Sequence, residues 1–393
     1  MEVVFRHLLE RLSRSGMASP DDVHIATCDD TIAWHRPPAS AADFAQMMNA
    51  LRLGTLLFGA PMEPYRTLIA HQAAQALAQG QDAIFPSDSE TRTFLHRIPC
   101  LPAFTPAALA AALANAAVVI SAQGHVASRG FFSPFEALVH FSSACFAAQV
   151  RFVVQSLDPP SRATAPVDVG AGAARRVLLD HLRPLPHMPP QPRAPFHSEA
   201  EVLRAIAHAG RSTVHHRLVD SAFGNASLLH DGVLYISQTG APLDELEGQI
   251  DACHLDDSHT NAITASSELA AHLAIVQHAR FDGVLHGHPP MTVALSMHCD
   301  LPDCAQRHRC HTHCQTPRSL NGVPIVCGEV GAGDHGLCHT VPAALAHNDA
   351  AIVLGHGVFV GATGDFCAAT QRLCDIENAA AVECKKRISR WWG

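Results

Sequence analysis

Apolar positions in the second half of the chain follow both helical and strand periods. SEAEVLRAIAHAGR has an apolar face at helical spacing and begins at Ser198. In SLLHDGVLYIS, two apolar runs flank Asp231-Gly232, a pair that favours a tight hairpin turn. FDGVLHGH, PIVCGEV and AAIVLGHGVFVG are further apolar runs of strand length. The mixture of helices and strands predicts an α/β class.

Two more helices are predicted in this half. SSELAAHLAIVQHAR places Leu269 and Leu273 on one side, and Ser266 or Ser267 can cap its start. The last segment, DFCAATQRLCDIENAAAVECKKRISRWW, carries a similar apolar stripe through Leu373. Both segments have the length of ordinary globular helices that pack one face on a core.

The first half of the chain has weaker periodicity. Helices are predicted over residues 1–16, 41–58 and 62–79. Residues 115–150 follow a strand-turn-helix pattern and resemble residues 348–383, with an apolar run, a Gly-His or His-Gly pair and then a helix. The similarity indicates a weak internal repeat, or only the general likeness of strand-turn-helix units.

A stretch rich in proline and arginine separates the two halves. DPPSRATAP and RPLPHMPPQPRAP interrupt any regular period. We therefore predict a smaller N-terminal α/β domain at 1–165, a Pro-rich linker at 166–196 and a C-terminal domain at 197–393.

The amino-acid composition favours some classes of protein and argues against others. Hydrophobic residues make up 48% of the 393 residues and charged residues 16%, which is enough apolar material for a sizeable core. A net charge of −9 without a dense Lys/Arg run argues against a nucleic-acid partner. No uninterrupted apolar run reaches about 18 residues, so no transmembrane helix is expected. The charged, amphipathic start lacks a signal-peptide pattern. We expect a cytoplasmic protein whose 13 cysteines are mostly buried thiols or metal ligands.

Two histidines flank one glycine at the end of the run VLHGH. Alternate side chains of a strand share a face, so His286 and His288 point the same way and could bind one metal ion. A His-x-His pair by itself is weak evidence in a chain with 28 histidines. The evidence for a metal site is stronger because His356 also follows a buried strand and Glu268 begins the preceding helix.

Polar residues near turns and one helix start add a second element of chemistry. They form the pairs Gly224-Asn225, Thr239-Gly240 and Ser266-Ser267. Backbone N–H groups and hydroxyls at such places bind anions.

Five of these pieces together resemble a known family. FGNASLL, YISQTG, SSE, LHGH and LGHGVFVG occur in the order and approximate spacing of the class II aldolase/adducin family of zinc-dependent sugar-phosphate aldolases, over residues 197–380. The resemblance implies a three-layer α/β/α domain with a mainly antiparallel central sheet. In the first half of the chain, the Ser-Glu pair in SDSETRTF and the pair Gly124-His125 are similar to these pieces, so the N-terminal domain is a candidate for a degenerate unit of the same kind.

The resemblance assigns roles to particular residues. It implies that His286, His288 and His356 bind Zn²⁺ or another divalent ion, and that Glu268 is the acid/base. It also implies a set of residues that bind the substrate phosphate: Asn225, Thr239, Gly240, Ser266 and Ser267. Three neutral imidazoles leave a coordination position open, as a catalytic site requires.

The function implied is that of a lyase of carbohydrate metabolism. A metal-dependent aldolase would cleave or form a C–C bond in a small phosphorylated ketose, or a related hydroxy-ketone, through a zinc-stabilised enediolate. An epimerase or dehydratase acting on a sugar phosphate is the alternative within the enzyme class. A non-catalytic metal-binding or scaffold protein of the same fold is the alternative outside it. Family members are commonly tetramers with sites at subunit boundaries, so a homo-oligomer is expected.

One feature of the family pattern is missing. Relatives that cleave fuculose phosphate use a tyrosine of a neighbouring subunit as proton donor, but Tyr65 and Tyr235 both lie in the wrong segments. The corresponding stretch reads VCGEVGAGDHGL. Its Glu329 is the candidate donor, with Asp334 and His335 as alternatives.

A cysteine-rich insert at 298–318 interrupts the metal motif. Four thiols within 16 residues, interleaved with histidines, predict a second, structural metal site that would hold zinc or an iron–sulfur cluster. The predicted ligands are Cys299, Cys304, Cys310 and Cys314. The spacing matches neither a zinc ribbon nor a ferredoxin, so a loop with free thiols is the alternative.

Overall fold

The chain divides into two compact units in a computed structural model. The N-terminal unit comprises Met1–Arg183 with Lys385–Gly393, and the C-terminal unit comprises Pro184–Cys384. The structure describes residues 2–159, 169–220, 222–256, 261–278, 280–301, 304, 310–314, 316–328 and 333–392.

The C-terminal unit is built on a sheet of eight strands within the described residues. The strands are β8 (Asn225–His230), β9 (Val233–Ser237), β10 (Ile250–His254), β11 (Gly283–Gly287), β12 (Arg318–Leu320), β13 (Val323–Val326), β14 (Ala350–Val353) and β15 (Gly357–Ala362). In the sheet they run β10-β9-β8-β11-β15-β14-β13-β12. All neighbours are antiparallel except β13 and β14. The predicted mainly antiparallel sheet is confirmed.

Helices cover both faces of this sheet. They are α8 (Glu199–His215), α9 (Leu269–His278), α10 (Pro290–Met297), α11 (Cys310–His313), α12 (Leu337–Leu345) and α13 (Cys367–Trp392). Leu285 of β11 packs in a core with α8 and α13, whereas its neighbour Val284 packs in a core with α9 and α12. This alternation of successive strand residues produces the expected three layers.

The N-terminal unit has a sheet of seven strands within the described residues. The strands are β1 (Val23–Cys28), β2 (Ile32–His35), β3 (Thr55–Gly59), β4 (Ala83–Ile84), β5 (Ile98–Leu101), β6 (Val118–Ser121) and β7 (Val126–Gly130). The helices are α1 (Glu2–Arg14), α2 (Ala41–Leu51), α3 (Tyr65–Ala78), α4 (Ser89–Leu95), α5 (Pro106–Leu113), α6 (Pro134–Leu157) and α7 (Val169–His181). One core lies between the sheet and α1, α3 and α6, and a second core between the sheet and α2 and α5.

The two sheets share one topology. The N-terminal order β2-β1-β3-β7-β6-β5-β4 matches β9-β8-β11-β15-β14-β13-β12, and the parallel pair β5–β6 corresponds to β13–β14. The similar sequence segments 115–150 and 348–383 form the same structure, β6-β7-α6 and β14-β15-α13. The internal repeat indicated by the sequence is therefore a repeat of the fold.

One predicted helix is wrong in its second half. The helix expected over 41–58 ends at Leu51, because Arg52 takes a left-handed backbone conformation with φ of 54°. Residues Thr55–Gly59 are instead a fully buried strand between β1 and β7. A short apolar run that is buried on both faces has no alternation, so its sequence does not distinguish a strand from a core helix.

The Pro-rich segment 166–196 is described from residue 169 onward. Residues 169–181 form α7, and residues 184–196 belong to the C-terminal unit. Backbone N–H groups of Leu185 and Met188 donate to the side chains of Asn378 and Gln371, at 2.6 and 3.0 Å. Prolines prevent a regular ladder of hydrogen bonds here, and amide side chains of α13 accept from the backbone N–H groups of these two residues instead.

One helix, α6, is long and apolar enough to cross a membrane by length and composition alone. However, 83% of its most apolar window is buried inside the protein. It packs as a core helix beneath the N-terminal sheet, with Phe141 and Val150 fully buried.

Candidate metal centre

Three histidines lie close together where the central strand β11 ends and the neighbouring strand β15 begins. His286 lies near the end of β11, His288 follows that strand, and His356 lies in the turn between β14 and β15. The Nε2 atom of His286 is 2.9 Å from that of His288 and 3.2 Å from that of His356. All three side chains are at most 4% exposed. Among the described residues, these histidines are the only group of three ligand atoms this close together.

The rings of His286 and His288 are in the neutral form that binds metals. His286 donates its Nδ1–H to the carbonyl oxygen of Val358 at 3.0 Å, so its Nε2 presents a lone pair to the cluster. Burial lowers the pKa of His286 to about 4 and that of His288 well below its ordinary value. Both rings are therefore neutral near pH 7.

The arrangement fits a divalent cation. Zn–N bonds of about 2.0–2.1 Å place tetrahedral ligands roughly 3.3 Å apart, close to the observed separations. Lone pairs of buried nitrogens at such distances repel one another unless a cation or a shared proton lies between them. Phe359 stacks on the ring of His286 with the ring centroids 3.9 Å apart and so restricts its rotation.

Gly357 lets the three rings approach one another. A Cβ atom at this position would lie 2.6 Å from Cδ2 of His288 and 2.7 Å from Cε1 of His286. It would also lie 2.5 Å from a backbone oxygen. The glycine after His356 therefore provides space in the site rather than an unusual backbone angle.

Glu268 directly precedes α9 and faces the histidines. Its Oε1 is 3.0 Å from Nε2 of His356, and its Oε2 is 3.5 Å from Nε2 of His286. Burial raises the pKa of Glu268, but His286, His356 and Asn225 together favour the ionised form more strongly and bring the pKa well below its ordinary value. An ionised carboxylate thus lies beside the candidate metal position, as an acid/base would.

The predicted phosphate-binding residues separate into two groups. Thr239 and Gly240 are exposed, and they lie against the loop that carries Ser266 and Ser267, because the Thr239 hydroxyl donates to Ala265 O at 2.8 Å. Asn225 is instead buried, and its amide donates to Oε2 of Glu268 at 2.8 Å. Its side chain therefore supports the carboxylate, and its role in binding phosphate stays a prediction.

Two supporting residues were missed by the sequence analysis. His272 hydrogen-bonds both Asn225 and Ser227, and it lies one helical turn after Glu268. Glu377 accepts hydrogen bonds from the backbone N–H groups of Met291 and Thr292 at 2.9 Å, where α10 begins. Burial raises the pKa of Glu377 to about 7. The His272 position was readable as an i+4 neighbour of Glu268, but nothing in the sequence links Glu377 to α10.

The cysteine-rich insert is only partly described. The thiol of Cys327, after β13, lies 2.9 Å from the carbonyl oxygen of Cys310 and 3.3 Å from that of Cys314. A fifth cysteine, absent from the predicted set, is therefore adjacent to two of the four. Their thiols do not form a ligand group as close as that of the histidines. An iron–sulfur cluster has no support.

The candidate proton donor Glu329 lies outside the described residues. The alternatives, Asp334 and His335, are exposed in the turn before α12.

The N-terminal unit does not repeat the metal ligands. Matching the strand registers places Phe58 at the position of His286, Ala60 at that of His288 and Gly124 at that of His356. Ser40, directly before α2, takes the place of Glu268. The N-terminal unit therefore shares the fold but has no histidine at these three described positions.

The C-terminal unit thus combines an α/β/α fold with a buried histidine cluster and an adjacent carboxylate. Residues 204–384 match the sequence model of the family described as Class II Aldolase and Adducin N-terminal domain. The C-terminal half of the chain therefore belongs to the class II aldolase/adducin family.

Solved structures similar to this chain cover about half of it. The L-fuculose-1-phosphate aldolase from Thermus thermophilus is 21% identical, covers 49% of this chain and 97% of its own, and has a TM-score of 0.40. A sugar-phosphate aldolase from Thermotoga maritima is 17% identical, covers 49% and 96%, and has a TM-score of 0.36. The comparison with curated proteins found no match.

Proposed function

We propose that the C-terminal unit is a metal-dependent aldolase that acts on a small phosphorylated ketose or a related hydroxy-ketone. The observation that carries this proposal is the convergence of three buried imidazoles on the ionised carboxylate of Glu268. A family member that served only as a scaffold would not need to bury four such groups against one another.

Different residues would bind the metal, transfer the proton and bind the phosphate. His286, His288 and His356 would hold Zn²⁺ or another divalent ion, which as a Lewis acid supplies charge stabilisation for a ketose carbonyl and its neighbouring hydroxyl. Glu268 would move a proton through Oε1, since Oε2 is held by Asn225. Phosphate would bind at the exposed hydroxyls and N–H groups near Thr239 and Ser267, away from the reacting carbons.

The direct test is a product assay on a panel of ketose phosphates with the full-length protein and added Zn²⁺. We expect release of a triose phosphate and an aldehyde, and loss of that activity after chelation. NMR of the products distinguishes the alternatives. A sugar phosphate with one inverted stereocentre indicates an epimerase, and a product that has lost water from the substrate indicates a dehydratase. Retained metal with no conversion of any substrate contradicts the proposal and favours a binding protein.

A second metal in the insert is a separate proposal. Cys310 and Cys314 lie one turn apart in sequence, and Cys327 is adjacent to both. Replacing Cys304 and Cys310 together by serine is expected to remove one bound ion per chain while the histidine-bound ion stays. Elemental analysis of the purified protein measures this. Unchanged metal content would show that the cysteines hold none.

We further propose that the N-terminal unit is a degenerate, non-catalytic unit of the same fold, because its corresponding positions carry Phe58, Ala60 and Gly124. A homo-oligomer in the cytoplasm, with a small sugar phosphate as ligand and neither nucleic acid nor membrane as partner, agrees with the family and the composition.

A further inference from the structure

Four polar side chains form a chain of hydrogen bonds beneath the candidate metal centre. Ser227 and His272 are completely buried, and Asn225 and Glu268 are 5 and 6% exposed. The three contacts are short: Ser227 Oγ to His272 Nδ1 at 2.7 Å, His272 Nε2 to Asn225 Oδ1 at 2.6 Å, and Asn225 Nδ2 to Glu268 Oε2 at 2.8 Å.

The carboxylate fixes the direction of every bond in this chain. Glu268 can only accept, so the Asn225 amide must turn its nitrogen toward Oε2 and its oxygen toward His272. The opposite amide orientation would place an oxygen 2.8 Å from a carboxylate oxygen and a nitrogen against the ring. His272 must therefore carry its proton on Nε2, and its Nδ1 must accept from the Ser227 hydroxyl.

The imidazole has no spare donor or acceptor in this arrangement. A neutral ring with its proton on Nε2 uses both nitrogens, and burial lowers the pKa of His272 to about 4. Phe359 also contacts the ring edge-on, with centroids 6.2 Å apart, and helps to set its plane. His272 is thus a rigid, neutral donor at pH 7.

We propose that His272 is a positioning residue: through the Asn225 amide it fixes the Oε2 atom of Glu268, so that Oε1 stays directed at the histidine cluster. The inference rests on the proposed function, because Glu268 is there the group that moves the proton. Without the Nε2–H donor, the amide could rotate and the carboxylate would lose its fixed orientation.

The first test reads the tautomer and does not depend on activity. The imidazole ¹⁵N spectrum of the full-length protein is compared with that of the His272→Phe variant, so that the signal absent from the variant identifies this ring. We expect a neutral Nε2–H tautomer that does not titrate between pH 5.5 and 8. A proton on Nδ1, or a titration near the ordinary pKa of histidine, overturns the proposal even if no substrate has been found.

The second test separates positioning from packing. His272→Phe keeps the aromatic contact with Phe359 and removes both hydrogen bonds, whereas His272→Gln keeps an amide N–H that can reach Asn225. We expect kcat of the Phe variant to fall about 10- to 100-fold, with KM and metal content nearly unchanged. The Gln variant should recover most of this loss.

Equal losses in the two variants, or losses that follow the folded fraction measured by circular dichroism, would show a purely structural role. Absence of turnover in the wild-type protein would instead count against the proposed function, while the tautomer measurement would still decide the role of His272.

Discussion

Replacing Glu268 by glutamine is expected to reduce kcat/KM by about 10²- to 10⁴-fold while the metal stays bound. General acid–base groups contribute rate factors of this size, and glutamine has nearly the shape of glutamate but cannot accept a proton at neutral pH. The three imidazoles that would hold the ion are unchanged. Steady-state kinetics with the best substrate of the panel, together with elemental analysis of the same sample, measures both parts.

A matched control for this variant is Glu247→Gln. Glu247 is an exposed carboxylate that pairs with Arg211, and such a surface pair contributes little to stability. This variant should keep wild-type activity and metal content. Near-normal activity of Glu268→Gln would refute the role of Glu268 as acid/base. Loss of the metal in that variant would show that the carboxylate chiefly binds the ion.

Replacing His288 by alanine should remove both the metal and the activity. One of three ligands is lost, and the remaining nitrogens of His286 and His356 are too few to hold a labile divalent ion. Because loss of an outer partner of a metal ligand already weakens binding by about 10- to 100-fold, loss of a ligand should weaken it by more. Competition with a chromogenic zinc chelator measures the affinity.

The matched control for this variant is His125→Ala in the N-terminal unit. His125 lies in the β6–β7 turn beside Gly124, the position that corresponds to His356, and the register gives it no metal partner there. Its removal should leave metal affinity unchanged. A fall in affinity equal to that of His288→Ala would mean that the metal is bound elsewhere, and the assignment of the histidine cluster would then fail.

Strand periodicity was sufficient to predict part of the site. Period-two alternation placed His286 and His288 on one face, and their nitrogens are 2.9 Å apart. The Asp231-Gly232 turn is also confirmed, with positive φ at both residues, as the hairpin type requires. These features depend only on local backbone geometry, which neighbouring residues determine.

Features that depend on residues far apart in the chain were not predictable from local pattern. The sequence did not show that the Asn225 amide faces Glu268, 43 residues later, and its contact with phosphate stays a prediction. The prediction of a helix through residue 58 was wrong after Leu51, because residues Thr55–Gly59 form a strand that is buried between two other strands. In each case the partner lies far away in the sequence. The tertiary fold brings the two segments together, so that a polar group is hydrogen-bonded or an apolar face is covered.

The sequence by itself determined the α/β class, the three histidines that are candidates for metal binding and, through five short motifs, the family of the C-terminal half. The tertiary structure decided three further matters: the repeat of one topology in both units, the absence of histidine from the three corresponding described positions of the first unit, and the chain of hydrogen bonds from Ser227 to Glu268. The physical reason is that motifs record which groups are present, whereas burial and hydrogen-bond direction depend on how distant segments pack.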